Sequence, residues 1–358
     1  MGYFIFRKIL NTLITLFGVI TIIFFLFNIL PGDPARMMLD QNENQDQIFA
    51  VKKKYGFDQP LSKQYLFYLN DLSPFSYHSN EISHYTSLSS GNYYYQKVFV
   101  LKNGCLVLKY PYLRRSFAKQ DKRVSEILKE TLPNTFVLAV ASILIAIVFG
   151  VILGVFSFIY KDQFIDRVIM VISTIGMSLP SFFSAIIFAW VFGFVLHEYT
   201  GLNMTGNLYE LDDFGEGKVL KLRNLILPAV VLGIRPLAVV SQLMINSLID
   251  VFSQEFIKTA FSKGLSRKEV IINHALKNSL SPVITAISGW FASMLSGAVF
   301  VEYIFGWNGL GKEIVNALNN LDLPVIMGSV LTIATVFIII NVFVDILYKY
   351  LDPRIKLN

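Results

Sequence analysis

The stretch FGWNGLGKEI, residues 305–314, places Gly306, Gly311 and Lys312 at the spacing of a phosphate-binding loop. In such a loop the backbone N–H groups surround the phosphates, and a Ser or Thr hydroxyl directly after the lysine binds Mg²⁺. Glu313 takes the position of that hydroxyl, and its carboxylate would face the phosphates. We therefore predict a tight turn at the membrane surface here and no nucleotide site.

Other residue types that carry catalysis or bind metals are scattered along the chain. Cys105 is the single cysteine, so neither an internal disulfide nor a thiolate metal cluster is possible. The stretch HEYTG lacks the second histidine of a zinc-protease helix, and no Gly-x-Ser-x-Gly elbow occurs. We predict no catalytic residues, no metal and no cofactor on this chain. The isolated histidines are His78, His84, His197 and His274.

The composition indicates a membrane protein. Of 358 residues, 54% are hydrophobic and only 16% are charged, whereas a soluble domain has about a quarter of its residues charged. A helix needs about 20 apolar residues to cross the hydrocarbon core. Five intervals without charged residues are long enough, and a sixth, 224–249, qualifies if Arg235 is tolerated. The five are 9–32, 131–160, 168–197, 278–301 and 323–344.

Because backbone groups inside a bilayer must pair within their own segment, we predict an all-α integral membrane protein with six transmembrane helices. Lys and Arg gather in the short loops on the side of both termini, which places both termini in the cytoplasm. The net charge of +6 follows from this topology and does not indicate nucleic-acid binding.

The predicted organisation starts with an N-terminal helix at 1–32, followed by a large external segment at 33–130. A five-helix core, 131–352, and a cytoplasmic tail, 353–358, complete the chain. Within the external segment, KVFVLKNGCLVLKY has the pattern of two strands around Asn103 and Gly104, and an irregular loop is equally compatible with it.

The cytoplasmic stretch 253–277, called the coupling segment below, carries the most informative pattern. Phe256, Ala260 and Phe261 are predicted to share one side of a short helix, and Gly264 to end that helix in a left-handed conformation.

A second helix is then predicted to begin at a capping box, in which Ser266 and Glu269 bond to each other's backbone. The product is a helix, a sharp turn and a second helix on the cytoplasmic face. Its rim is positive, with Lys258, Lys263, Arg267 and Lys268.

This stretch resembles the coupling loop of ABC importer permeases, whose pattern is Glu-Ala-Ala, three residues, Gly, nine residues, then Ile-x-Leu-Pro. Aligned on Gly264, only Ala260 and Leu276 also match that general pattern. The sequence FIKTAFSKGLSRKEVIINHALKNSLSPVIT more closely resembles the peptide and nickel branch, where Thr-Ala, Lys-Gly-Leu and His-Ala-Leu-x-Asn are usual. The coupling residues implied by the resemblance are Phe256, Lys258, Thr259, Ala260, Lys263, Gly264, Leu265, Ser266, Glu269, His274 and Leu276.

Further matches extend over almost the whole chain. FNILPGDPA, VSEILKETLPNTFVLAV, GMSLPSFF and GAVFVEYIFGWNGLGKEIVNAL resemble segments of the first of the two permease subunits in that branch. Two features depart from the family. Gln242 and Ile245 stand where members often carry arginines, and the external segment holds an insertion around 75–112.

The resemblance implies a permease subunit of an ATP-driven importer in the bacterial inner membrane, with peptides as the default substrate. Its implied partners are membrane lipid, a second homologous permease, an external solute-binding protein and two cytoplasmic ATPases, which bind ATP and Mg²⁺. The turn of Gly306, Gly309 and Gly311 then lies outside, away from cytoplasmic ATP. The alternative is a self-sufficient, ion-coupled secondary transporter. Such carriers usually hold acids within their spans, and these spans hold none.

Arg235 is the one charged residue inside a predicted span. A charge at the centre of a transmembrane helix costs about 2.5–3.5 kcal/mol on insertion scales, so we expect its side chain to face the bundle interior or a water-filled cavity. It either attracts a substrate carboxylate or pairs with an acid or carbonyls of a partner subunit.

Overall fold

The computed structural model describes residues 2–29, 45–81, 84–88, 91, 93–119, 122–212, 215 and 217–351. The chain forms two compact units. The first comprises Met1–Glu130 and Glu313–Ala334, and the second comprises Thr131–Lys312 and Thr335–Asn358. The Pro-Gly-Asp-Pro stretch and the predicted cytoplasmic tail lie outside the described residues.

The first unit combines helices with a small sheet. Its three strands are antiparallel in the order β1, β3, β2, and the β2–β3 hairpin turns at Lys102 and Asn103. The hairpin alternative is therefore correct, and the fold contains strands in addition to its helices. The elements are α1 (Gly2–Ile29), α2 (Gln45–Tyr55), α3 (Leu61–Leu72), β1 (Phe75–Ser79), β2 (Tyr95–Leu101) and β3 (Gly104–Lys109).

The rest of the chain is almost entirely helical. Two short π-helical turns, Val191–Val195 and Val270–Ala275, interrupt it. The remaining elements are α4 (Val124–Ile159), α5 (Phe164–Ser178), α6 (Ser181–Trp190), α7 (His197–Thr200), β4 (Tyr209–Leu211), β5 (Lys218–Leu220), α8 (Arg223–Phe252), α9 (Glu255–Ser262), α10 (Arg267–Glu269), α11 (Leu276–Gly297), α12 (Val299–Ile304), α13 (Leu310–Asn319) and α14 (Leu323–Leu351).

Within the described residues, four helices are long and apolar enough to cross a membrane, or five if one bent pair counts as a span. The four are Phe6–Asn28, Val124–Ile159, Arg223–Phe252 and Leu323–Val344. The predicted span 278–301 coincides with α11 but is not among them, so the count of six stays a prediction.

The predicted span 168–197 corresponds to a bent pair of helices, which is broken between Ser178 and Ser181, where the two halves meet at an angle of 112°. Pro180 lacks the N–H that a continuous helix needs, and it disfavours the helical conformation for the residue before it. Leu179 is accordingly extended, with φ −73° and ψ 131°.

Helix α8 is the centre of the second unit, where it packs against α5 and α11. Its buried positions include Val231, Ala238, Val240 and Met244. The C-terminal end of α8 leads directly into the coupling segment, and Leu248 in its last turns belongs to the same apolar cluster as the residues that anchor α9.

Candidate coupling segment and external turn

Helix α9 is anchored through Ile257 and Ala260, which are both buried against the apolar cluster that includes Met244 and Leu248. The prediction that Phe256, Ala260 and Phe261 share one side of α9 is compatible with helix geometry, because at 100° per residue the three positions fall within an arc of about 140°. Ile257 lies inside this arc, and the two phenylalanines lie at its edges. They are 43% and 41% exposed, while Ile257 supplies the contact that the sequence reasoning missed.

The turn after α9 is a Schellman motif. The N–H of Gly264 donates to the carbonyl of Phe261 at 2.9 Å, and the N–H of Leu265 donates to that of Ala260 at 3.4 Å. Gly264 has φ +85°, the left-handed conformation predicted for it. A Cβ there would meet no atom within 4 Å, so only backbone conformation requires a glycine. Leu265 then packs back onto the apolar cluster and fixes the direction of the turn.

The capping box predicted for the second helix is present. The N–H of Ser266 donates to Glu269 Oε2 at 2.8 Å, and the N–H of Glu269 donates to Ser266 Oγ at 3.4 Å. The hydrogen bonds from Ser266 lower the pKa of Glu269. Replacing such a cap by alanine costs about 1 kcal/mol, so this helix begins at a defined residue.

A π-helical turn at Val270–Ala275 follows α10 and leads into α11. Val270, Ile271 and Ala275 are buried, whereas His274 is half-buried and its carbonyl accepts a bond from Asn278 Nδ2 at 2.7 Å. π-Helical turns occur often at functional sites. No local residue pattern predicts this one.

The outer surface of the coupling segment combines two exposed aromatic side chains with exposed cations. Lys258 bonds to Glu255 at 2.7 Å across the helix surface. Aromatic side chains are common anchors at protein interfaces, and charged groups form the rim of such interfaces. This surface therefore suits a folded protein partner. Its exposed members are Phe256, Lys258, Thr259, Phe261, Lys263, Arg267 and Lys268.

The external turn, residues 302–312, is built around the carboxylate of Glu302. This side chain is fully buried and accepts the N–H groups of Gly311 at 2.6 Å and Lys312 at 3.3 Å at the start of α13. A Cβ at Gly309 would overlap the Glu302 carboxylate, and one at Gly311 would overlap Val299 Cα. Burial raises the pKa of Glu302 to about 7.

Two further hydrogen bonds hold the external turn within the same unit. Trp307 is buried, and its indole N–H donates to the carbonyl of Asn134 at 3.1 Å. The Lys312 ammonium donates to the carbonyl of Gly306, whose φ is +66°, at 2.9 Å. The phosphate-loop lysine is thus occupied in closing the turn, and the turn joins two helices rather than a strand and a helix.

Arg235 is exposed on α8, directly before Pro236. No hydrogen bond or ion pair to Arg235 is found among the described residues, so these residues leave its guanidinium group exposed. The choice between a substrate carboxylate and a partner subunit remains open. Among the parts of the chain that the structure describes, no group of three His, Cys, Asp or Glu residues could hold a metal ion.

Curated relatives match almost the full chain. It is 30% identical to the dipeptide transport system permease protein DppB of Alkalihalophilus pseudofirmus, covering 98% of both chains. It is also 30% identical to the di/tripeptide transport system permease protein DppB of Pseudomonas aeruginosa, covering 99% of this chain and 98% of the relative.

Solved structures show the same fold at low identity. Inward-facing conformations of the MetNI methionine ABC transporter align with a TM-score of 0.50 at 13% identity, covering 64% of this chain and 97% of that chain.

Two family descriptions match adjacent parts of the sequence. Residues 1–101 match the N-terminal part of binding-protein-dependent transport system membrane components. Residues 146–357, more than half of the chain, match the binding-protein-dependent transport system inner membrane component. The relatives are transport permeases and not enzymes. With the helical spans and the coupling segment described above, these matches show that the chain belongs to the family of binding-protein-dependent transport system inner membrane components, the permeases of ABC importers.

Proposed function

We propose that this chain is one of two permease subunits of an ATP-driven importer for di- or oligopeptides. It lies in the bacterial cytoplasmic membrane with both termini in the cytoplasm. The printed functions of its near-full-length relatives support peptides as the substrate class. An external solute-binding protein delivers the substrate, and a second, homologous permease completes the pathway.

The coupling segment carries this proposal. Ile257 and Ala260 hold α9 on the apolar cluster, and the exposed parts of Phe256 and Phe261 enter a groove of an ATPase subunit. ATP and Mg²⁺ bind to two such partner subunits. Because α9 is fixed to the end of α8 through one apolar cluster, a displacement of α9 passes directly to a spanning helix. ATPase closure then biases a two-state bundle toward the outward-open arrangement.

Arg235 is assigned to the surface that the second permease or the substrate pathway covers. A charge that faces lipid at mid-membrane would carry the insertion cost given above. Because Arg235 is exposed on the isolated chain, another protein or a water-filled pathway must surround it. Arg235→Gln separates the two roles. Loss of uptake with the assembled complex intact indicates a pathway residue, and loss of the complex indicates a contact with the second permease.

The proposal is tested by uptake of a radiolabelled dipeptide into cells that lack ATP synthase, with and without this chain. ATP-driven import is abolished when arsenate depletes ATP, and it persists when a protonophore collapses the proton gradient. Uptake with the opposite sensitivities would contradict the proposal and support the ion-coupled carrier.

A further inference from the structure

The three-stranded sheet of the first unit carries apolar side chains on a face that is exposed. Cross-strand partners lie on the same face of a sheet, and the pairs Phe75–Leu108, Tyr77–Leu106 and Phe99–Leu106 all lie on the exposed side. In a sheet with one solvated face, the solvated side is normally polar. Here it is almost entirely apolar. This apolar face comprises Phe75, Tyr77, Phe99, Leu101, Leu106 and Leu108, each between 39% and 69% exposed.

The opposite face is more polar, and it is buried on β1 and β3, while its β2 members Tyr95, Lys97 and Val100 are exposed. Its buried members are Ser76, His78, Cys105, Val107 and Lys109.

A hydrogen-bond network around Asp71 satisfies that buried side. The Asp71 carboxylate accepts bonds from Tyr93 OH at 3.0 Å, Tyr85 OH at 3.1 Å and Arg114 Nε at 3.1 Å. Lys109 Nζ donates to the Asp71 carbonyl. These buried hydrogen bonds fix the orientation of the sheet, so the apolar face points outward.

The sheet is attached close to the membrane. Helix α3, which ends two residues before β1, packs against Phe24 of α1 and Met327 of α14. Tyr65 OH bonds to Thr21 Oγ1 at 2.7 Å. Thr21 lies seven residues before Asn28, the end of the spanning stretch, which is about 10 Å along a helix. The helix that leads into the sheet is thus fixed alongside the outer part of two spanning helices.

The hairpin turn at the edge of the apolar face carries a positive charge, because Lys102 in this turn is exposed. Lys97 is also exposed, but its cross-strand partner is the buried Val107, so Lys97 lies on the opposite face. Tyr94 and Tyr110 beside the hairpin are also exposed, at 68% and 80%. Apolar side chains flanked by cations and tyrosines are the combination that binds the interface of an anionic bilayer.

We propose that the apolar face, together with Lys102 in the hairpin turn, docks on the outer surface of the membrane that the chain spans. The apolar side chains enter the headgroup region, and the Lys102 ammonium group meets an anionic phospholipid headgroup. The inserted stretch of the external segment thereby holds the outer end of the first unit at a fixed depth. This inference goes beyond the transport function and does not depend on which solute is carried.

The test places a photoreactive p-benzoylphenylalanine at Phe99 in the full chain, expressed in cells with its native neighbours, and identifies the adducts by mass spectrometry. The control carries the same residue at Leu211 on β4, which is 68% exposed and lies beside the acidic residues Glu210 and Asp212. We expect phospholipid adducts at position 99 at least several-fold above position 211. A protein adduct at position 99, from a second permease, a binding protein or another copy, would overturn the proposal, as would equal lipid labelling at both positions.

A second measurement tests the charge. The purified chain with Phe99→Trp is placed in nanodiscs of phosphatidylcholine with or without phosphatidylglycerol, and quenching by brominated lipid is measured relative to the parent, which holds three native tryptophans. Quenching is expected to be stronger with phosphatidylglycerol, and Lys102→Glu is expected to remove that difference, whereas Lys97→Glu on the opposite face should retain it. Absence of quenching at position 99 in both lipids would contradict the proposal.

Discussion

The coupling segment and the external turn both reverse the chain at glycines, yet the glycines serve different purposes. Gly264 has a left-handed backbone and open space around it. Gly311 lies so close to Val299 Cα that a side chain has no room. The external turn closes around a buried carboxylate of its own chain, whereas the coupling segment presents exposed aromatic and cationic side chains. The external turn is closed by contacts within one unit, whereas we expect the exposed surface of the coupling segment to be covered by the proposed ATPase partner.

The largest loss of stability is expected for Gly311→Ala. Its new Cβ would overlap backbone atoms of α12, which cannot rotate away as a flexible side chain would. Overpacking of this kind costs about 1–3 kcal/mol and occasionally more, so we expect a clear fall in the midpoint of thermal unfolding in detergent. Gly289→Ala is the control, because its Cβ would meet nothing within 4 Å. Equal midpoints for the two variants would contradict the packing account.

The two faces of α9 give the next largest difference. Ile257→Val is expected to cost about 0.5–1.5 kcal/mol because a methyl group is removed from a fully buried side chain. Phe256→Ala is expected to change stability by less than about 0.5 kcal/mol because that side chain is half exposed. The effect on ATPase co-purification, measured at equal expression, should have the opposite order. Phe256→Ala should lose more of the ATPase than the Ile257 variant, although its fold is retained. A Phe256→Ala variant that unfolds early and keeps its ATPase would refute this assignment.

A smaller effect is expected from the titration of Glu302. Its pKa of about 7 lies above the ordinary value of 4.5, so between these values the folded state binds more protons than the unfolded state. Stability from this group is therefore lost as the pH rises from about 4.5 to 7. Glu302→Gln should flatten the dependence of the unfolding midpoint on pH in that window. An unchanged slope would show that the carboxylate is not buried as described.

Local signals predicted the parts of the molecule that depend on a few neighbouring residues. The left-handed Gly264 and the capping box of Ser266 and Glu269 follow from residue type and spacing, and the structure has both. Charge-free intervals located three of the four long apolar helices among the described residues, Phe6–Asn28, Val124–Ile159 and Leu323–Val344, because the bilayer requirement acts on each segment separately.

Features that depend on distant contacts were not predictable in this way. Glu302 has the residue type of a surface position, and its burial arises only when the external turn folds back over it. The buried role of Ile257 depends on where the end of α8 lies. The outward direction of the apolar face depends on Asp71, which precedes the first strand of the sheet by four residues.

We infer that the coupling segment holds the ATPase through the turn at Gly264. Two variants with similar backbone strain test this inference directly. Gly264→Val and Gly215→Val both place a β-branched residue at positive φ with nothing within 4 Å of the new Cβ, so each carries a similar backbone penalty of about 1–2 kcal/mol. Each tagged variant is purified in mild detergent, and the amount of co-purifying ATPase is measured. We expect the Gly264→Val protein to insert normally but neither to bind the ATPase nor to support dipeptide uptake, whereas the Gly215→Val protein should do both. Full retention of the ATPase and of uptake by Gly264→Val would contradict this inference.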